Sequence, residues 1–156
     1  MNSSKANIGI SIIVLIALIT LFAVFSYVKA DELGISIKAG GTLIYSEPGT
    51  MPLTAGIEYE KKFDKNIVSV SGDVFKFGND VSVPVLVNYK RVVDSNGAKL
   101  GFGIGSFLDD KKGLAGSIMF EMPLYDNIFF ETKLVRRWAE YGYPNGFVLC
   151  DVGYRF

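Results

Sequence analysis

The stretch FVLCDVGYRF, residues 147–156, decides how the rest of the chain is read. Val148, Cys150, Val152, Tyr154 and Phe156 are apolar or aromatic, and Asp151, Gly153 and Arg155 fall between them. A period of two is the repeat of a strand, whose side chains point alternately to opposite faces. Chain ends of water-soluble domains tend to fray. A strand that runs to residue 156, with an aromatic closing its apolar face, is therefore unusual for a water-soluble domain.

The same period recurs upstream in seven more segments. The first, about Leu33 to Tyr45, sets Leu33, Ile35, Ile37, Ala39, Leu43 and Tyr45 against Ser36, Lys38 and Thr42. The second sets Leu53, Ala55, Ile57, Tyr59 and Phe63 against Thr54, Gly56, Glu58, Glu60 and Lys62. The third, Ile67 to Phe77, opposes Val68, Val70 and Val74 to Ser69, Ser71 and Asp73, with its register open near Phe75 and Phe77. The fourth places Val81, Val83, Val85, Val87 and Tyr89 opposite Ser82, Asn88 and Lys90. It holds Pro84 inside, and proline gives no N–H to a ladder, so a bulge there or a strand end outside the apolar zone is expected. The fifth alternates Leu100, Phe102, Ile104 and Leu108 with Lys99, Gly101, Gly103 and Gly105. The sixth sets Leu114, Ile118, Phe120 and Met122 against Ser117 and Glu121, and the seventh sets Ile128, Phe130, Thr132 and Leu134 against Glu131 and Lys133, ending near Trp138. Turn chemistry separates them at Asp64-Lys65-Asn66, Gly78-Asn79-Asp80, Asp94-Ser95-Asn96-Gly97 and Tyr125-Asp126-Asn127, with Gly97 where a left-handed residue is needed.

Segments of about ten residues have the length of tilted membrane-spanning strands. The expected fold is all-β, an eight-stranded antiparallel transmembrane β-barrel; a soluble barrel with its apolar face inside is the alternative. Lys38, Glu58, Asp73, Lys90, Glu121, Lys133, Asp151 and Arg155 lie on the polar face. An eight-stranded barrel has an interior only wide enough for side chains to fill it. Gly101, Gly103 and Gly105 beside long charged residues suit that space, so these charges are read as an interior ion-paired network that plugs the barrel. The Gly-x-Gly-x-Gly run is no phosphate loop, because no helix follows it. Tyr45, Phe63, Tyr89, Phe107, Tyr125, Trp138, Tyr141, Tyr143 and Phe156 sit near segment ends, where interfacial aromatic belts form. Cys150 faces lipid as a small apolar residue.

The ending Tyr154-Arg155-Phe156 resembles the closing strand of bacterial outer-membrane β-barrels, whose aromatic-x-Phe pattern the assembly machinery recognises. The resemblance implies an outer-membrane location, Tyr154 and Phe156 as an assembly signal, and membrane lipid and that machinery as partners. With both ends in the periplasm, the outer loops are Ser46 to Pro52, Gly78 to Asp80, Asp109 to Lys112 and Ala139 to Gly146, shorter than small-barrel adhesins and complement-binding proteins generally display. Arg136, Arg137 and Trp138 are a candidate contact for lipopolysaccharide phosphates; pairing of a basic rim residue with Glu140 is the alternative. The last twenty or so residues also resemble the end of the outer-membrane lipid A deacylases, whose His-x-Ser-Asn motif precedes a Pro-Asn-x-Gly loop and a closing strand ending in Tyr-x-Phe. Here Arg137 stands at the histidine and Ala139 at the serine. A guanidinium does not give up its proton and alanine has no nucleophile, so the resemblance implies a relative without the activity. Strand parity also turns Arg137 inward, whereas that family's histidine faces lipid.

Lys5 precedes the apolar run Ile8 to Phe25, and Val28-Lys29-Ala30 offers a cleavage site before Asp31-Glu32. Residues 1–30 thus read as a secretory signal ahead of a barrel domain of residues 31–156; the 18-residue run is also long enough for an uncleaved anchor. The remaining 126 residues make one domain and hold 14 basic against 16 acidic residues, so no field draws them to nucleic acid. One cysteine forms no internal disulfide. The chain has no histidine, which excludes Ser-His-Asp hydrolysis and histidine-held metals. No catalytic residue, metal or cofactor is expected, and the function read from the sequence is structural or one of surface interaction.

Overall fold

A computed structural model describes residues 32–44, 51–77, 80–109, 113–138 and 146–156. Its strands are β1 (Glu32–Ile44), β2 (Leu53–Phe63), β3 (Asn66–Phe77), β4 (Asp80–Ser82), β5 (Pro84–Val92), β6 (Lys99–Phe107), β7 (Gly113–Tyr125), β8 (Ile128–Trp138) and β9 (Gly146–Arg155). Each is antiparallel to its neighbours, and β2 pairs with β3 while β9 returns to β1, with Gly40 opposite Asp151. The sheet therefore closes on itself without an edge. β4 and β5 are two parts of one stave, which makes an eight-stranded antiparallel barrel.

Pro84 does not make a bulge. Phe75 faces Ser82 and Gly72 faces Val85 in the same register, so no residue is inserted and the strand merely breaks at Val83. The Val83 carbonyl still accepts a bond from the Leu108 N–H at 2.9 Å, which keeps the other neighbour in place. A register shift does occur in β7, between Pro123 and Tyr125, where the sequence had suggested none. The tight turns at the end shared by Glu32 and Phe156 use left-handed residues: Asp64 (φ 55°), Gly97 (φ 87°) and Asp126 (φ 40°). Gly97 was expected to take that conformation, and aspartate is among the few side chains that tolerate it.

Burial decides which face is inside. Ile37, Ile57, Phe102, Ile104, Ile118, Leu134 and Val152 are exposed around the outer wall, whereas Lys38, Glu58, Asp73, Lys90, Glu121, Lys133 and Asp151 are buried within it. An apolar belt of this extent around a charged interior fits lipid and not water, and it removes the soluble alternative. Alternation holds through β3, so its open register resolves with Ile67 and Phe75 pointing inward. Phe107 also points inward and is 1% exposed, so it is not part of an aromatic belt. It shares the parity of Lys99 and Gly103, and nearness to a strand end says nothing about which face a ring occupies. Tyr89, Tyr125, Trp138 and Phe156 do face outward. Tyr45, Tyr141 and Tyr143 lie outside the described residues.

Candidate functional site

The middle of the barrel is filled by a continuous ion-pair network. Glu131 on β8 is its hub: the Lys38 ammonium donates to it at 2.7 Å, Lys133 lies at 3.2 Å and Lys90 at 3.4 Å. Lys90 also reaches Glu58 at 2.8 Å and Glu121 at 3.0 Å, and Lys133 reaches Asp73 at 2.9 Å. Toward the end carrying the tight turns, Glu121 is shared by Lys99 and Arg155, both at 2.7 Å, and Arg155 also meets Glu60 at 2.7 Å. Ser69 donates to Glu58, and Asn88 bonds Ser71 at 3.0 Å. A row of glycines makes room for this. On β6, Gly101 faces Lys90 and Gly103 faces Asn88, and a Cβ on Gly101 would lie 3.0 Å from the Lys90 Cγ.

All eight charges singled out from the sequence lie in this interior, but Asp151 makes none of its ion pairs. Glu131, Glu60 and Lys99 were not singled out, although the same alternation had placed them on the polar face. Their importance comes from lateral neighbours on other strands, which periodicity along one strand does not specify.

The interior is not polar throughout, as the sequence reading had it. Ile44, Phe75, Leu86, Phe107, Ala115, Val135, Phe147 and Leu149 form a buried apolar layer toward the end with the longer connections. Phe147 stacks on Phe75 and Phe107 with ring centres at 5.0 and 5.7 Å. Above it sits Arg137, whose guanidinium lies 3.8 Å from the centre of the Phe107 ring, donates to Ser82 at 3.2 Å and pairs with Asp109. Arg137 is 3% exposed and points into the barrel, so it does not join a rim contact with lipopolysaccharide. Its partners explain why: cation–π contact and a carboxylate hold it inside. Arg136 and Trp138 face outward on the same strand, Arg136 between Gly116 and Gly146 on the flanking strands. The Trp138 ring lies over Gly116, where a Cβ would be 2.7 Å from Cζ3. Ala139 and Glu140 lie outside the described residues.

Tyr154 and Phe156 stand on the outer face with their rings edge to face at 5.0 Å. The Phe156 N–H donates to the Ile35 carbonyl at 2.8 Å, so the ladder continues to the last residue. Cys150 is half-buried on the same face, 3.8 Å from the Thr132 hydroxyl. Among the described residues no cluster of three or more metal-binding side chains is present.

No protein-family model matches the chain, and no curated protein matches it. Solved structures do. The chain is similar to Ail, the attachment invasion locus protein of Yersinia pestis, with a TM-score of 0.60 and 14% identity over 80% of this chain and 97% of that one. It is also similar to Neisserial surface protein A, with a TM-score of 0.53 and 10% identity over 82% of this chain and 98% of that one. At such identities the likeness is one of fold, and the fold is the closed eight-stranded antiparallel barrel.

Proposed function

We propose that this chain is a non-enzymatic outer-membrane barrel with a structural or surface-interaction role, exported by residues 1–30. The observation that carries the reading is the inversion of the barrel, with Lys90, Glu131 and Lys133 fully buried inside and Phe102, Ile104 and Ile118 exposed outside. Such a molecule is stable only with lipid around it. The names of the two similar structures, an attachment locus protein and a surface protein, support display at the cell surface. Arg136 and Trp138 are the groups offered to lipopolysaccharide phosphates at the outer rim, a guanidinium beside an interfacial ring. The filled interior supports a wall, not a channel. Arg137 and Ala139 at the deacylase positions support the non-enzymatic reading.

Cell fractionation tests the location. The protein is expected in the outer-membrane fraction, with faster gel mobility unheated than heated; recovery as a soluble protein from periplasm or medium overturns the reading. Refolded protein mixed with lipid A is expected to leave every acyl chain in place by mass spectrometry. Release of a chain that disappears in Glu140→Gln or Ser46→Ala would make it an enzyme instead.

A further inference from the structure

The central network balances except at one residue. Five cations, Lys38, Lys90, Lys99, Lys133 and Arg155, are paired with five carboxylates, Glu58, Glu60, Asp73, Glu121 and Glu131. Asp151 is a sixth carboxylate in the same interior, 1% exposed, and neither of its oxygens has a hydrogen-bond partner. Its neighbours aggravate this. Directly across the ladder on β8 stands Glu131, a like charge, which takes the ammonium groups of Lys38 and Lys133 for itself. On the other side stands Gly40 of β1, over which the Asp151 carboxylate leans, with Oδ1 2.6 Å from where a Cβ would be. Asp73 of β3 leans in the opposite sense, over Gly56 of β2. Gly40 and Gly56 lie on paired strands two residues apart in register, Gly40 opposite Thr54 and Gly56 opposite Lys38. The two carboxylates thus converge from both flanks over a floor of glycine.

Other oxygens there also lack partners. Asp73 Oδ1 makes no hydrogen bond and meets only the Lys38 ammonium, at 3.7 Å; the hydroxyls of Thr54 and Thr42, buried on the same face, have no partner. A buried carboxylate facing a second and a third carboxylate is strongly disfavoured as a bare anion; Lys38 and Lys133 act on Asp151 only from a distance, since each is paired with Asp73 and Glu131 and neither bonds an Asp151 oxygen.

We propose that Asp151, with Asp73 and Thr54, is a binding site for one positive charge from outside the chain, a proton or a small monovalent cation. A divalent ion does not suit it, because Lys38 and Lys133 already sit on Asp73. The groups that face the site are Lys38 from β1, Glu58 from β2, Asp73 from β3, and Glu131 and Lys133 from β8. The bound charge ties the β9–β1 closure to β2 and β3, so its loss weakens the barrel where its two ends meet.

The test uses the full chain refolded in detergent micelles, unfolded by urea, as wild type and as Asp151→Asn, which keeps the shape and removes the charge. One arm varies pH at fixed sodium; the other varies sodium against N-methylglucamine at fixed pH and ionic strength. A bound proton makes the wild-type unfolding constant fall about tenfold for each unit by which pH is lowered, within the window where only the folded state holds it. A bound sodium ion makes it fall about tenfold for each tenfold rise in sodium above saturation. Either dependence is expected to be absent in Asp151→Asn. Dependence on neither, or a dependence unchanged in Asp151→Asn, overturns the proposal. Should Asp151→Asn fail to fold, infrared spectra of wild-type protein with 13C at the aspartate Cγ decide. A protonated-carboxyl band that shifts with the label supports a proton, and lack of that band together with indifference to sodium overturns the proposal.

Discussion

At the scale of single residues, the barrel interior is governed by what happens when one member of a charged network is removed. Lys90 is fully buried and touches Glu58, Glu121 and Glu131, which belong to three different strands. Its four-carbon stem crosses over Gly101, so the side chain is packed as well as charged. Lys90→Met keeps most of the packing and leaves three carboxylates facing one another. Removing one partner of a buried pair strands the charge that remains, and the cost is about 3–5 kcal/mol. Urea unfolding of the refolded protein checks this; a loss below about 1 kcal/mol would mean that the remaining lysines take over the pairing.

Among the elements, β6 is the one whose sequence is most constrained by its neighbours. A side chain on Gly103 would fall on the Asn88 Oδ1 and within 2.6 Å of the Ser117 hydroxyl, and one on Gly105 would meet the β5 backbone at Val85. Both glycines are demanded by close approach; neither has an unusual φ. Gly72 on β3 is different, because a Cβ there would meet only the Val85 Cγ2, at 3.9 Å. Gly103→Val is therefore expected to prevent refolding, or to destabilise by more than about 3 kcal/mol as overpacking with backbone shifts does. Gly72→Ala is expected to stay within about 0.5 kcal/mol of wild type. The pair is read by the fraction that regains heat-modifiable mobility; equal refolding of both would refute the close-packed interior.

For the whole molecule, closure depends on β9 meeting β1, and Phe156 is the last residue of that seam. It contributes one backbone bond to Ile35 and a ring that is 70% exposed on the outer wall. Deleting it should cost the refolded barrel only about 1 kcal/mol, the worth of one hydrogen bond. If Tyr154 and Phe156 are an assembly signal, the same deletion should reduce insertion in cells and leave precursor or degraded protein. Immunoblots of the membrane fraction measure it, and normal insertion would leave Phe156 a structural residue alone.

The alternation in residues 147–156 and in the segments before it determined the strand type, the number of staves and which charges share a face, because the two-residue period is local. Gly97 was legible for the same reason, as a demand of its own turn. Other features depended on which strands lie side by side. Glu131 as hub, Asp151 left without a partner, Arg137 stacked on Phe107 and the apolar layer around Phe147 all arise from contacts between residues tens of positions apart. Of the two outcomes the sequence allowed at Pro84, the strand end occurs and the bulge does not, because a missing N–H can be absorbed without inserting a residue when both neighbours hold their register. A strand's own sequence states which way each side chain points; the closed sheet alone decides what that side chain meets, since closure and register set the lateral rows across the barrel.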